Sequence, residues 1–144
     1  MTPPETVRAY VNTWECDEND HLNVQFFFRY FQDAADHLLT IGGQAEGERT
    51  LPLVRHVRFH KELRADQSVV GHSHAVAGES GRLVHILRDT ATGDISATAL
   101  DTYAETQAFR SSVAGFQREM AEEALPRSLS DEPSPPHSEA GFEG

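Results

Sequence analysis

A short polar stretch precedes an aromatic-rich run near the start of the chain. Within seven residues, which also include Glu18, the sequence brings together Asp17, Asn19, Asp20, His21 and Asn23. Residues 26–31 then include four phenylalanines and a tyrosine. Because side chains that transfer or share a proton are concentrated here, this stretch is the first candidate for a reactive site.

The chemistry of this stretch depends on the helix predicted to follow it. An α-helix begins with N–H groups that have no acceptor inside the helix and with a partial positive charge, so its start can stabilise a developing oxyanion. Asp17 lies upstream of this start, where the helix dipole favours the charged carboxylate. A carboxylate beside oxyanion donors suits a hydrolase, since one group activates or delivers the nucleophile while the others stabilise the tetrahedral intermediate.

A strand and a helix must position these residues. Across residues 5–16, Val7, Ala9 and Val11 alternate with polar neighbours, which predicts a half-buried first strand. Across residues 23–41, apolar side chains recur at spacings of three and four, and two glycines follow. This pattern predicts a helix of about five turns with one apolar face.

Four further stretches have the pattern of strands joined by short, turn-forming segments: residues 51–63, 68–78, 81–90 and 94–106. The short separators predict that these four strands pair as successive antiparallel neighbours. A helix with one apolar face must cover a sheet with one apolar face, so the sequence predicts a two-layer α+β domain within residues 1–125. Residues 116–125 have the pattern of a short amphipathic helix, and the Pro- and Ser-rich residues 126–144 are typical of a disordered tail or a linker.

Residues 16–39 resemble the first-helix signature of the hotdog-fold acyl-CoA thioesterases of the 4-hydroxybenzoyl-CoA thioesterase type. That signature has an Asp, a His four residues later, a hydrophobic residue, an Asn and an aromatic-rich helix. In this chain these places are taken by Asp17, His21, Leu22, Asn23 and residues 26–31. The resemblance implies a hotdog fold, in which a five-stranded antiparallel sheet wraps one long helix. It also implies a homodimer or a dimer of dimers with active sites at the subunit boundary.

The resemblance further implies hydrolysis of an acyl-CoA thioester to the free acid and CoA, with no metal or organic cofactor. Asp17 would be the nucleophile or the base for water, and the backbone N–H of Val24, with those of Asn23 and Gln25, would polarise the thioester carbonyl. His21 would position reacting groups. Many relatives have Gly just before the His, whereas this chain has Asp20, which implies a different backbone path or a second carboxylate near the substrate.

Several of these residues also have a structural interpretation. Asn23 is equally suited to capping the helix, whereas Asp17 lies too far upstream for standard capping. A His in a turn more often braces the loop through hydrogen bonds than acts as a general acid, so we favour a bracing role for His21. Cys16 is expected to be a small buried side chain and not a nucleophile.

Aromatic and basic residues supply candidate binding surfaces. Most of the aromatic stripe is expected to face the core, but consecutive phenylalanines fan over more than half of the helix, so Phe27 and Phe28 are candidates for contact with the acyl group or a partner subunit. Basic residues are scarce and cluster in residues 55–64, where a strand edge kept soluble by charge is an equally good explanation. The candidates for binding CoA phosphates are Arg58, Lys61 and Arg64.

Composition limits the classes of function. Twelve Lys and Arg against 23 Asp and Glu give a formal charge of −11, which disfavours nucleic acid and anionic membranes as partners. One Cys and the lack of a long apolar run predict a soluble, cytoplasmic protein. Eight His residues, including His72 and His74, lack a recognisable ligand spacing, so no metal site is predicted.

Two other functions fit the same residues. A hotdog hydratase or dehydratase acting on an acyl-CoA double bond needs an acid–base pair, which Asp17 and His21 can supply. A domain that binds acyl-CoA but has lost turnover through Asp20 would keep the fold without forming product. One half of a tandem hotdog protein is compatible with each function and would explain the Pro-rich tail.

Overall fold

One long helix lies against an antiparallel sheet in the computed structural model, which describes residues 3–45, 50–76, 79, 81–115 and 118–119. The elements in chain order are β1 (Glu5–Tyr10), a 3₁₀ turn (Thr13–Glu15), α1 (Val24–Ile41), β2 (Val54–Phe59), β3 (Ser68–Val76), β4 (Arg82–Asp89), β5 (Ile95–Thr102), α2 (Gln107–Val113) and β6 (Arg118–Glu119). Strands β1 to β5 pair in an antiparallel manner, and the short β6 pairs parallel to β3. The predicted α+β hotdog fold is confirmed.

The order of the strands in the sheet differs from their order in the chain. The sheet order is β1-β3-β4-β5-β2, so β2 pairs with β5 at one edge. The prediction that the four later strands pair as successive neighbours is therefore wrong for β2, although β3, β4 and β5 do pair in succession. The segment after β2 is not a hairpin turn, because it pairs with the chain just before α1: the Leu22 N–H donates to the Leu63 carbonyl at 2.7 Å.

Helix α1 forms as its periodicity predicts. Asn23 has extended backbone angles, and its side chain accepts a hydrogen bond from the Gln25 N–H, so it caps the helix. The buried face of the helix consists of Phe27, Tyr30, Phe31, Ala34, Ala35, Leu38 and Leu39. At the other end, the Gly42 N–H donates to the Leu38 carbonyl at 3.1 Å, and Gly43 follows with φ +107°. A left-handed residue here ends the helix, as glycine favours.

The main core lies between α1 and the sheet. Phe27 and Phe31 of the helix pack in one cluster with Val57 of β2, Val69 of β3 and Leu87 of β4. Because strand side chains alternate between faces, these contacts define the inner face of the sheet, which α1 covers.

Helix α2 (Gln107–Val113) was not predicted from the sequence. Its cap is Thr106, whose side chain accepts a hydrogen bond from the Phe109 N–H at 3.1 Å, and Phe109 stacks on Tyr103 with ring centroids 4.7 Å apart. The helix predicted for residues 116–125 is wrong at Arg118–Glu119, which form β6. The rest of that segment and the predicted tail, residues 126–144, lie outside the described residues.

Candidate functional site

The polar stretch forms a tight bend that leads into α1. Cys16 and Leu22 form an antiparallel bridge, the Asp17 N–H donates to the His21 carbonyl at 2.9 Å, and the Asp20 N–H donates to the Asp17 carbonyl at 3.0 Å. The chain therefore reverses direction within residues 16–22 and delivers Asn23 to the start of the helix.

The Asp17 carboxylate organises this bend. Its Oδ1 atom accepts hydrogen bonds from the backbone N–H groups of Asn19 at 2.8 Å and His21 at 3.1 Å. The bond from the His21 N–H, followed by the bond from the Asn19 N–H, holds the pKa of Asp17 below its usual value. The side chain is also exposed. Asp17 therefore presents an ionised carboxylate to solvent at neutral pH.

Asp20 occupies a left-handed backbone position, with φ +64°. Glycine adopts this conformation most easily, and Asp tolerates it better than most other residues. The side chain adds an exposed carboxylate to the bend, beside those of Asp17 and Glu18. Asp20 stands where the resemblance leads us to expect Gly. It keeps a backbone conformation that suits Gly and adds a negative charge to the bend.

Three backbone N–H groups at the helix start were predicted as oxyanion donors. Two have acceptors, because the Asn23 N–H donates to the Glu15 carbonyl at 3.0 Å and the Gln25 N–H donates to the Asn23 side chain at 3.3 Å. The Val24 N–H, which lies between them, has no acceptor inside the helix. Val24 is therefore the best placed of the three to donate to an incoming oxyanion.

His21 ties the bend to the segment that follows β2. Its ring Nδ1 lies 2.9 Å from Oε1 of Glu62, and its backbone forms a bridge with Arg64. These are the contacts expected of a bracing residue. At Cys16, burial, followed by the charges of Asp20 and Asp17, raises the pKa of the thiol, which favours the unreactive protonated form.

The predicted aromatic contacts divide between core and surface. Phe27 is only 2% exposed and packs edge-to-face on Phe59, with ring centroids 4.9 Å apart, whereas Phe28 is half-buried. Trp14, which was not predicted as a site residue, is 70% exposed and packs edge-to-face on Phe26, with ring centroids 5.8 Å apart. Because Trp14 precedes Glu15, whose carbonyl is bonded to the helix cap, this aromatic pair borders the helix start.

The basic candidates do not converge on the bend. Lys61 pairs with Asp94 at 2.7 Å. Arg58 alternates with the core residue Val57 and so lies on the sheet face opposite α1. Arg64 is exposed and its backbone bridges to His21, which makes it the candidate nearest to the bend.

A chain of buried polar side chains, which we call the polar belt, crosses the sheet beneath α1. It takes one residue from each of the five long strands in their spatial order: Thr6, Ser73, His85, Asp101 and Arg55. The Ser73 hydroxyl lies 2.6 Å from the Thr6 hydroxyl and 2.6 Å from Nδ1 of His85. Nε2 of His85 lies 3.1 Å from Asp101, which accepts bonds of 2.7 and 2.8 Å from Arg55.

The polar belt contains the residue types of a Ser-His-Asp triad, which was not predicted from the sequence. Ser73, His85 and Asp101 are each fully buried at 0% exposure. A nucleophile must reach its substrate, so we interpret this cluster as structural: it satisfies the hydrogen bonds of polar groups buried under α1.

Other site types have less support. A cavity of about 430 Å³ lies at the far end of α1, between Gly42–Gln44 and Ser111–Ser112, well away from the bend. Among the described residues, no three His, Cys, Asp or Glu side chains are grouped as metal ligands. None of the described helices is long and apolar enough to cross a membrane.

Comparison with solved structures identifies proteins that share this fold. The protein is similar in structure to a Staphylococcus aureus hypothetical protein characterised in complex with CoA (TM-score 0.74, 16% identity, covering 93% of this chain and 99% of that one). It is also similar to a Thermus thermophilus thioesterase complexed with coenzyme A and Zn (TM-score 0.61, 17% identity, 90% and 96% covered). A third similar structure is a Synechocystis 1,4-dihydroxy-2-naphthoyl-CoA thioesterase (TM-score 0.60, 8% identity, 76% and 94% covered). At these identities the likeness establishes the fold.

A family model establishes more than the fold. No curated protein matches the chain. The model of the thioesterase-like superfamily, however, matches residues 11–122, which include the bend, α1 and four of the five long strands, β2 to β5. The prediction of a thioester hydrolase is confirmed at the level of this family, and the chain belongs to the thioesterase-like superfamily.

Proposed function

We propose that this protein hydrolyses an acyl-CoA thioester to the free acid and CoA, in the manner of the 4-hydroxybenzoyl-CoA thioesterase type. The observation that carries the proposal is the position of Asp17: an exposed carboxylate, held in its ionised form by backbone N–H groups, in the bend that leads to the first turn of α1. The CoA bound to the Staphylococcus aureus and Thermus thermophilus proteins supports a CoA thioester as the substrate class.

In the proposed reaction the thioester carbonyl oxygen accepts a hydrogen bond from the Val24 N–H. Asp17 either removes a proton from water, which attacks the carbonyl carbon, or attacks that carbon itself to form an anhydride that water then opens. In both routes the carbon–sulfur bond breaks, the thiolate of CoA leaves and takes up a proton, and water supplies the oxygen of the new acid. The helix start stabilises the negative charge of the tetrahedral intermediate.

The surrounding residues have supporting roles in this proposal. Asn23 caps α1 and so fixes the direction of the Val24 N–H, and His21 braces the bend through Glu62. Trp14 and Phe26 offer an aromatic surface to the acyl group beside the helix start. Arg64 is the basic residue best placed for a CoA phosphate.

We also propose a cytoplasmic homodimer in which the sheets of two subunits join. Strand β2 lies at the end of the sheet order and pairs only with β5 among the described strands. An edge strand of this kind pairs readily with a second strand. Residues 62–64, which contact His21, follow closely after β2 in the chain. A subunit boundary along β2 would therefore place the bend near the partner subunit.

The test is thiol release from aromatic, short-chain and long-chain acyl-CoAs by the wild type and by Asp17→Asn, with Asp20→Asn as the matched control. We expect release by the wild type and by Asp20→Asn, and none by Asp17→Asn in a protein that keeps its circular dichroism spectrum. If no acyl-CoA is cleaved, or if Asp17→Asn is as active as the wild type, the proposed mechanism is wrong, and a binding or hydratase function is favoured.

A further inference from the structure

Two leucines just before β2 are exposed, and the proposed reaction leaves them without a role. Leu51 is 61% exposed and Leu53 is 68% exposed. Leu53 is attached to the sheet, because its backbone N–H donates to the Thr102 carbonyl of β5 at 2.7 Å. Two large aliphatic side chains are therefore held at one edge of the sheet, where they suit an apolar ligand or a second protein surface.

The two edges of the sheet differ in how well they accept another strand. At the β1 edge, Glu5 and Arg8 form an ion pair at 2.9 Å, and charged side chains on an edge strand disfavour pairing with another chain. At the opposite edge, β2 pairs only with β5 within the described part of the sheet. The subunit boundary is therefore favoured along β2, and the two leucines lie where that strand begins.

Two-fold symmetry limits how two copies of β2 can pair. Identical strands related by a two-fold axis pair antiparallel, and one residue then lies opposite its own copy, because opposite residues share a face of the sheet. The central residues of β2 are His56 and Val57. With the axis at His56, Leu53 lies opposite Phe59 of the partner subunit. With the axis at Val57, it lies opposite the partner's Lys61. Both registers bring the leucines of one subunit to the carboxyl end of β2 in the other.

The carboxyl end of β2 leads to the proposed catalytic bend. Phe28 and Phe59 pack against the core cluster under α1, and each is only half-buried, so each leaves apolar surface open. Just beyond β2, Glu62 lies 2.9 Å from the ring of His21, whose backbone N–H donates to Asp17. An open apolar surface and the proposed catalytic carboxylate therefore lie at the end of β2 that receives the partner's leucines.

We propose that Leu51 and Leu53 act in trans, by closing the acyl site of the partner subunit over its Phe28 and Phe59. This inference rests on the proposed function and names its substrate class. The acyl group has an apolar body that extends past the thioester carbonyl far enough to contact the leucines of the second subunit.

The two flanks of the helix start then have different borders. Phe26 and Phe28 are about 200° apart around α1. Trp14 of the same chain borders the flank that carries Phe26, whereas the partner's leucines border the flank that carries Phe28. A single subunit therefore has an incomplete acyl site, and efficient hydrolysis of such a substrate needs the dimer.

A mixed dimer tests the contribution in trans. One chain carries Asp17→Asn and the other carries Leu51→Ala with Leu53→Ala; the two chains are co-expressed with different tags and purified over both. If the leucines act in trans, one site combines Asp17 of one chain with the wild-type leucines of the other. We then expect about half of the wild-type hydrolysis of a long-chain acyl-CoA.

The same experiment separates the inference from the function on which it rests. If the leucines act within their own chain, no site of the mixed dimer is complete, and activity no higher than that of the double-alanine homodimer would overturn the inference alone. A wild type that cleaves no acyl-CoA would instead reject thioester hydrolysis, and the inference with it.

Substrate preference shows whether the leucines contact the acyl group. In the homodimer of Leu51→Ala with Leu53→Ala we expect kcat/KM to fall by at least about 10-fold for a long-chain acyl-CoA. It should change little for acetyl-CoA, whose acyl group is too short to reach the leucines. Ile41→Ala is the matched control, since Ile41 is 53% exposed at the end of α1 and its loss should affect neither substrate. Equal losses for both substrates in the double variant, or a double variant that sediments as a monomer, would overturn the proposal.

Cysteine crosslinking tests the pairing without using activity. In a Cys16→Ser background, His56→Cys or Val57→Cys places a thiol opposite its own copy, with Cα atoms about 4.5 to 5.5 Å apart, within the range of a disulfide. We expect one of these two variants to form a covalent dimer on oxidation, whereas Arg8→Cys at the β1 edge should stay monomeric under denaturing conditions. Failure of both β2 variants to crosslink would contradict the proposed pairing and overturn the contribution in trans.

Discussion

The backbone N–H of His21 donates a hydrogen bond of 3.1 Å to the carboxylate of Asp17. This bond, the largest cause lowering the pKa of Asp17, makes the proposed catalytic group part of the bend that presents it. A carboxylate whose pKa is lowered stays ionised throughout the neutral and mildly acidic range. We therefore expect kcat/KM for thioester hydrolysis to show no acidic limb between pH 5 and 7, the range above the ordinary Asp value of about 3.9.

The pH profile also discriminates between Asp17 and a histidine as the essential base. It should be measured with a substrate whose release of thiol is followed directly, and with circular dichroism at each pH to show that the fold is kept. A limb near pH 6.5, the ordinary pKa of histidine, would contradict the assignment and indicate that a His side chain transfers the proton.

Val24→Pro removes the backbone N–H that is the proposed oxyanion donor. Proline is tolerated at the first helical position, and Asn23 already has the extended backbone, ψ 140°, that a residue before proline prefers. We expect kcat to fall by about 10²- to 10³-fold, as when one oxyanion donor is lost, with little change in thermal stability. The control is Val24→Ala, which keeps the N–H. Equal activities for the two variants would mean that the Val24 N–H does not stabilise the transition state.

Asp20→Gly tests whether the Asp20 carboxylate takes part in the reaction. Because Asp20 has φ +64°, glycine fits the bend without strain, and we expect the melting temperature to stay the same or rise slightly. Thioesterase activity should be retained if Asp17 alone provides the carboxylate. Asp20→Val is the structural comparison, since a β-branched side chain is strained at positive φ and should destabilise the fold. Loss of activity in a stable Asp20→Gly protein would assign a catalytic role to Asp20.

Trp14 gives a direct measure of acyl binding, because it is the only tryptophan in the chain. If its exposed ring lines the acyl site, an acyl-CoA should change its fluorescence emission more than CoA alone does, even in the inactive Asp17→Asn variant. Ile41→Ala, at another exposed apolar position, is the control for non-specific effects on binding. Identical responses to CoA and to several acyl-CoAs would show that the acyl group does not reach Trp14.

Asp101→Asn should weaken the fold through the polar belt. It leaves the buried Arg55 without its charged partner, and breaking a buried pair typically costs about 3 to 5 kcal/mol in the free energy of unfolding. Burial would raise the pKa of Asp101, but the hydrogen bond from Arg55 and the interaction with His85 outweigh it, so the pKa is lowered.

The direction of this pKa shift sets the pH range of the effect. A lowered pKa stabilises the fold fully above the unfolded value of about 3.9, and this contribution is lost as the pH falls through the folded value. In urea unfolding, the difference between the wild type and Asp101→Asn should therefore be large at pH 7 and shrink below about pH 4. A difference that is independent of pH would rule out an ionised Asp101 as its source.

Local patterns predicted the helix and the strands, but not every pairing. The periodicity of α1 and its Asn23 cap are encoded within adjacent residues, and both are found in the structure. The pairing of β2 with β5 joins residues that are distant in the chain, such as Val57 and Ala99. The short, turn-forming segment after β2 did not indicate this long-range pairing.

The polar belt was missed for a related reason. Ser73, His85 and Asp101 lie on three different strands, and each looks in the sequence like an ordinary polar residue in an alternating pattern. Only the register of β3, β4 and β5 brings them together. In contrast, the bend was recognisable because its residues are adjacent in the chain and match a family signature.

The edge position of β2 also constrains the order in which the protein folds. Strands β3, β4 and β5 are joined by short connections, whereas β2 must wait until β5 exists before it can pair, and closing that long loop is slow. We expect amide protons of β2 to be protected from hydrogen exchange later than those of β4 during refolding. The last strand to form would then be the one whose free edge receives the proposed partner, so that only a chain with a finished sheet is competent to assemble.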